Sequence, residues 1–397
     1  MHEKIAHGAQ KYEERVVGWR RTIHAHPELS QEEEKTAALV ASELEALGLE
    51  VRRGVGGHGV VGLLRGGSDG KTVALRADID ALPMQEETEL PYASQVEGVM
   101  HACGHDTHTA ILLGAACVLS ELRAELKGNV KFLFQPAEEL NPIGGAPGMI
   151  EDGVLEDPHV DALFALHVWP LYETGQILTR PGALMGASDR IYLTVTGKTS
   201  HGSAPHQGVD AIMIAAQVIS GLQSIVARNI RPLDSAVVSL GTIRGGYRYN
   251  VIADRVELEG TVRTLDPETQ DLMPKLIERT AAGIARALGG DCSLRYVRGY
   301  PPLLNDPELF ALTQRLSDSL KPNAILTAPD PDLGGEDFAF FARERPALMA
   351  WLGCRPVGQP MEETAVLHNT KFAPDEKCFV TGIRFLASCA AGFLNDE

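Results

Sequence analysis

Three kinds of hydrophobic pattern succeed one another along the chain. Near the N-terminus, after a polar amphipathic stretch, SQEEEKTAALVASELEALGLEV (30–51) sets Leu39, Val40, Leu44 and Leu47 at helical spacing. That spacing predicts a surface helix with one buried stripe. Ser30 and Glu33 have the S-x-x-E spacing of a capping box, and Gly48 sits where a C-cap glycine belongs. Short, nearly continuous apolar runs follow: TVALRADIDALP (72–83), NVKFLFQPAEE (129–139), DALFALHVWP (161–170) and, late in the chain, ALMAWLGC (347–354). Runs of this length between helical segments read as buried strands, and the alternation predicts an α/β part with a mostly parallel central sheet.

The middle of the chain has a different period. DRIYLTVTG (189–197) alternates apolar and polar residues, and a helical stretch, GVDAIMIAAQVISGLQSIVARN, follows it. Two more alternating runs, SAVVSLGTIRGG and DRVELEGTVRTL, precede a second helix that starts after Asp266-Pro267 and reaches about Leu288; CSLRYV closes the set. The order β-α-β-β-α-β is the ferredoxin-like signature. The expected organisation is therefore a discontinuous larger domain, 1–186 and 300–397, with a smaller α+β domain at 187–299 inserted into it. Such a unit exposes an edge strand, which makes pairing between subunits plausible and points to a homodimer or a dimer of dimers.

Composition narrows the function classes. The 397 residues are 44% hydrophobic and 22% charged, ordinary for a globular protein, and too many for one core. A formal net charge of −17 disfavours nucleic acid or an anionic membrane as partner, and an anionic substrate would need a local cationic pocket. The six cysteines include no CxxC pair, so reduced thiols in a cytoplasmic protein are expected. The N-terminal stretch lacks the apolar region of a signal peptide, and no run is expected to be long enough for a membrane span.

The candidate chemistry gathers where the strand runs end. The first leads into Asp78 and Asp80, the second into Glu138 and Glu139, the third into His167. Sites in open α/β sheets form outside the carboxyl ends of strands, and charge buried there is costly unless it is paired or binds a cation. Between the first two runs lies HACGHDTHTA (101–110), with three histidines, a cysteine and an aspartate; His368 in VLHNTKFAPDE is a further candidate. Taken alone, the cluster admits a structural zinc clip, a catalytic metal centre or a nucleophilic Cys103 with a histidine base. A clip would want a second cysteine close by, and a nucleophile would leave Glu138, Glu139 and His167 without a role. Thiolate and imidazole suit zinc, while the carboxylates widen the choice to manganese or cobalt.

Eight segments, in order along nearly the whole chain, carry a resemblance. They are RADIDALPMQE (76–86), HACGHDTHTA (101–110), FQPAEE (134–139), ALHVWP (165–170), GKTSHGSAPH (197–206), NVIAD with GTVRT (250–264), GGEDFAFF (334–341) and LHNTKF (367–372). Together they resemble the dinuclear-metal aminoacylase/carboxypeptidase family, most closely its amidohydrolase branch of hippurate hydrolases, N-acyl-amino-acid amidohydrolases and auxin-conjugate hydrolases. The resemblance implies a zinc-peptidase-like catalytic domain with an inserted lid or dimerisation domain. It also implies two divalent ions per subunit (zinc, or manganese, cobalt or nickel) about 3.5–4 Å apart. The implied ligands are Cys103, in the bridging place, with His105, Glu139, His167 and His368. Glu138 would be the general base, and Asp80 and Asp106 would orient ligands. Glu336 and Asp337 are weaker candidates for the surroundings of the site. His201 would act at the reacting carbonyl, often across a dimer interface, while Asn250 and Arg263 would hold the substrate. The implied reaction is hydrolysis of the amide bond of an N-acyl amino acid. A carboxypeptidase or dipeptidase on the same scaffold is the alternative, and a non-catalytic metal-dependent binding protein a more distant one.

Overall fold

The computed structural model describes residues 1–320, 325–328 and 330–395. The chain divides into two compact units. The first comprises Met1–Leu184, Leu304–Asp330 and Asp337–Glu397; the second comprises Met185–Leu303 and takes in Pro331–Glu336, a segment outside the boundaries expected for the insertion.

The first unit is built on an eight-stranded mixed sheet. Its centre is parallel: Ser68–Asp78 lies between Lys127–Gln135 and Ala162–Glu173, and Ala347–Arg355 pairs with the far side of Ala162–Glu173. These are the four apolar runs, and their buried stretches explain why polar alternation is missing from them. His167 is not at a strand end as expected. It sits within Ala162–Glu173, but pairing with the Ser68–Asp78 strand stops at Arg76↔Ala165, so the neighbouring edge opens just before it. The helices His2–Ala25, His105–Glu121 and Phe379–Leu394 join the strands in one continuous core.

The helix predicted from 30–51 spans Glu34–Ala46, and Gly48 follows it with φ +72°, the left-handed conformation of a C-terminal cap. The capping box does not form. The Glu28 carboxylate accepts the Lys35 and Thr36 amides (3.0 and 2.9 Å), while Ser30 and Glu33 turn inward. Their partners lie 50 and 104 residues away.

The second unit carries a four-stranded antiparallel sheet ordered Ala236–Gly245, Arg255–Thr264, Ser188–Thr196, Asp291–Tyr300. Ile191, Leu193 and Val195 point to a core shared with helices Ala211–Asn229 and Pro267–Ala287. With its β-α-β-β-α-β order this is the ferredoxin-like arrangement.

One expectation needs correction. Among the described residues two helical stretches, Ala211–Asn229 and Glu376–Leu394, are long and apolar enough to cross a bilayer. Each packs into the core of its own unit, as an apolar core helix does.

Candidate metal centre

The cluster in HACGHDTHTA is sorted by the backbone that carries it. Gly104, with φ +92°, turns the chain into helix His105–Glu121; a Cβ there would lie 2.4 Å from Val168, so only glycine allows the approach. Cys103 stands before the turn and His105 begins the helix. His108, one turn further on, has both ring nitrogens engaged: Nδ1 donates to Asp78 Oδ1 (2.6 Å) and Nε2 accepts the Val168 amide (2.9 Å). A ring with that tautomer has no lone pair left for a cation. His108 instead fixes the backbone beside His167. His101 is buried with neither ring nitrogen hydrogen-bonded among the described residues, and burial pulls it down to about 4, so it stays neutral.

The other two imidazoles in the strands' shelter also donate from Nδ1, but no backbone amide occupies their Nε2. His105 Nδ1 donates to the Asp80 carbonyl and carboxylate (3.0 and 3.1 Å), and His167 Nδ1 donates to the Val168 carbonyl (2.8 Å). Each Nε2 is thereby left as a bare donor atom, the arrangement that orients histidines around a metal. Cys103 Sγ lies 3.5 Å from His167 Nε2 and 3.3 Å from His368 Nε2, and Glu139 Oε1 lies 3.1 Å from His368 Nε2 and 4.0 Å from His105 Nε2. His368 is held by its own amide, which donates to the Ala102 carbonyl (2.8 Å), at a strained φ of +60°.

Two trios of possible ligand atoms result, Cys103–His105–His167 and Cys103–Glu139–His368, each with all its atoms within 4.8 Å of one another. They share the Cys103 sulfur. All five residues singled out as ligands from the sequence are thus brought together, and Glu138 joins His105 and Glu139 in a third such group.

The electrostatics call for a cation. His105 Nε2 and Glu139 Oε1 are buried with no hydrogen-bond partner among the described residues. Burial would lower the His105 pKa, but Asp78, Asp80 and Glu139 outweigh it and raise it to about 10. Burial, then Glu139, Glu138 and Asp78, push the Cys103 thiol well above its ordinary value. Carboxylates that drive protons onto the Cys103 sulfur and the His105 imidazole, while burial keeps His167 neutral, lack a counter-ion, and divalent ions would answer that demand. Soft sulfur, imidazole and carboxylate donors fit zinc and its neighbours.

Around the donors lies a second set of buried groups. Asp80 accepts from His105, from Ser30 Oγ (2.7 Å) and from the Glu139 amide (3.0 Å), so it positions two candidate ligands at once. Asp106 does not touch a ligand. It binds Arg20 Nε (2.8 Å) and His24 Nδ1 (2.7 Å), tying the helix start to the N-terminal helix. Arg76 bridges Asp78 and Asp337 (2.8 Å each), and Asp337 also accepts from Gln135 and from the Gly145 and Ala146 amides. Sequence reasoning assigned no role to Arg76, His108 or Gln135; an arginine inside the apolar run TVALRADIDALP was the one available signal.

His201, Asn250 and Arg263 belong to the second unit. Ser200–His201 forms a small ladder with Val251–Ile252, and the Gly202 amide donates to the Asn250 carbonyl (2.8 Å), so His201 and Asn250 are neighbours. His201 is exposed; its Nδ1 accepts the Ser203 amide (3.1 Å), which leaves the proton of the neutral ring on Nε2. Asn250 Oδ1 is buried without a hydrogen-bond partner among the described residues. Arg263 is half-buried opposite Val237, its Nε donating to Thr261 Oγ1 (3.1 Å). Burial lowers its pKa, with Asp189 opposing.

A profile of peptidase family M20/M25/M40 matches residues 74–391. The chain belongs to that family. It is 46% identical to the N-acyl-L-amino acid amidohydrolase of Geobacillus stearothermophilus over 294 residues, 74% of this chain and 78% of the relative. It is 39% identical to thermostable carboxypeptidase 1 of Saccharolobus solfataricus over 99% of both chains. The crystal structure of the Bacillus subtilis YXEP protein, described as a dinuclear metal binding peptidase of the M20 family, superposes with a TM-score of 0.85 at 36% identity. The match covers 97% of this chain and 99% of that one. The M20 chain described here is accordingly a metal-dependent hydrolase of the amidohydrolase and peptidase type, on the mixed α/β fold of its relatives.

Proposed function

We propose that the chain hydrolyses the amide bond of N-acyl amino acids, with two divalent ions held by Cys103, His105, Glu139, His167 and His368, and Glu138 as general base. The observation that carries this reading is the pair of donor trios sharing the Cys103 sulfur, with Glu138 beside them. The ions would supply Lewis acidity and bring the pKa of water at the site toward neutrality. Glu138 takes a proton from the water whose oxygen bonds to the carbonyl carbon and delivers it to the amine nitrogen as the C–N bond breaks. Glu139 is the ligand and Glu138 the proton carrier, because a tightly bound carboxylate shuttles protons poorly. Asp80 holds His105 and the Glu139 backbone in place.

The second unit supplies substrate-binding groups in this reading. His201, with its proton on Nε2, donates to the oxyanion; Arg263 pairs with the substrate carboxylate, a local cation in a chain of net charge −17; and Asn250 helps to hold the substrate. We take the protein to be cytoplasmic, in keeping with six free, buried cysteines, and homodimeric through the exposed edge strand Ala236–Gly245.

A carboxypeptidase reading has one observation in its favour, the full-length match to a relative of that name. A panel of N-acetyl and N-benzoyl amino acids beside dipeptides, assayed with zinc, manganese or cobalt, separates the two. Metal-dependent release of amino acid from the N-acyl compounds is the expected result; turnover of dipeptides alone would replace this reading with the peptidase one.

A further inference from the structure

The S-x-x-E element that fails as a helix cap has another use. Glu33 is fully buried, 104 residues away in sequence from Ala137, yet its Oε1 accepts the Ala137 amide at 2.8 Å. Ala137 has φ +56°, the left-handed region that a residue with a Cβ enters only at a steric cost. It stands between Pro136, which has no amide to give, and the Glu138–Glu139 pair. Two residues on, the Glu139 amide donates to Asp80 Oδ2, and Ser30 Oγ donates to that same oxygen. Alternate amides of the 137–139 loop therefore end on two buried carboxylates, both anchored by the segment 30–33. The backbone just before that segment is docked as well: the Ala81 amide donates to the Glu28 carbonyl (2.8 Å), and Leu29 bridges Ala81.

We propose that Glu33, with Ser30, is a positioning residue for catalysis: it holds Ala137 in its left-handed turn and so aims Glu138 and Glu139 into the site. The proposal rests on the reading of Glu138 as base. Glu33 does not reach the donor atoms, and its second oxygen, Oε2, is buried without a partner among the described residues. What the turn needs from position 33 is an acceptor at the correct reach, whether or not it is charged.

That requirement sets the test. E33Q keeps the acceptor and the length while removing the charge; E33D keeps the charge and withdraws the acceptor by one methylene. Both are assayed at saturating metal on whichever N-acyl amino acid or dipeptide the wild type turns over, with kcat and KM separated, and E138Q is run beside them. The expected result is E33Q within about threefold of wild-type kcat, since the hydrogen bond survives. E33D loses about 10- to 100-fold in kcat with KM little changed, the cost of a displaced catalytic group. The reverse order, equal losses in both, or wild-type kcat in E33D would each overturn the proposal. If E33D does not fold, S30A takes its place: a several-fold fall in kcat at constant KM is expected, and an unchanged kcat would overturn the bracket. Full turnover in E138Q would instead remove the underlying reading of the base, a result none of the position-33 outcomes can imitate.

Discussion

Replacing Asp106 by Asn tests how much of the site's frame depends on one buried ion pair. Arg20 and Asp106 are both inaccessible to solvent, 2.8 Å apart, and His24 sits on the same carboxylate oxygen at 2.7 Å. Burial would raise the Asp106 pKa, but Arg20 and His24 overcome it and hold the carboxyl far below its ordinary value. Asn keeps the shape and removes the charge, so among the described residues Arg20 is left buried with His24 Nδ1 at 3.4 Å, Glu376 at 3.5 Å and the Tyr92 ring, 4.9 Å from its centroid. Stranding one partner of a buried pair costs about 3–5 kcal/mol, and the residual partners favour about 3 kcal/mol here. All three tryptophans, Trp19, Trp169 and Trp351, lie in the first unit, so their fluorescence follows its unfolding alone. With a urea dependence of about 3 kcal/mol per molar, the midpoint should fall by about 1 M.

The pH dependence of that loss has a definite sign. The Asp106 contribution is present above the ordinary carboxylate range and disappears only in strong acid, so it is constant from pH 5 to 9. His24 behaves oppositely: burial lowers its pKa, but Asp106 and Glu86 bring it above 6.5. Its contribution is full below 6.5 and fades as pH rises through the raised value. The D106N penalty should therefore be larger at pH 6 than at pH 9. The double variant R20M/D106L, which strands no charge, should lose less than D106N alone. A D106N midpoint within about 0.3 M of wild type, equivalent to under about 1 kcal/mol, would refute the reasoning.

Other consequences are open to direct measurement. E138Q should lose at least about 100-fold in kcat, within the range of a general base, while metal analysis finds its ions unchanged. H108L removes both the Asp78 bond and the acceptor for the Val168 amide, so it should destabilise the first unit by about 2–3 kcal/mol in urea and weaken metal binding through His167; an unchanged midpoint would contradict that role. Glu33 is pushed up to about 7 by burial and by Asp80. An acid with a raised folded pKa loses stability as pH climbs from about 4.5 through about 7, so E33Q should be more stable than wild type at pH 8, by on the order of 1–3 kcal/mol, and equal to it below pH 4.5.

What the sequence made legible follows from what its signals measure. The strands 68–78, 127–135, 162–173 and 347–355 and the β-α-β-β-α-β order are local patterns of burial, and periodicity reports burial directly. The candidate ligands Cys103, His105, Glu139, His167 and His368, which lie together in the structure, are legible because metal chemistry restricts residue type and the resemblance restricts position. Pairings across long separations were invisible. Ser30 and Glu33 satisfy the spacing of a helix cap, and nothing in that spacing tells a cap from a bracket onto Asp80 and Ala137. His108 looks like a ligand beside His105; only the Val168 amide on its Nε2 removes it from the set.

The Cys103 sulfur, shared by the two donor trios, offers the most direct test of the proposed two-ion site. Chelated enzyme titrated with cobalt(II) would report it through the sulfur-to-cobalt charge-transfer absorbance, followed together with hydrolysis of an N-acetyl amino acid. The account predicts that absorbance and turnover rise together and level off at two cobalt ions per chain, and that C103S shows neither the absorbance nor appreciable turnover. Full turnover at one equivalent, or a two-ion site of unchanged activity in C103S, would contradict it.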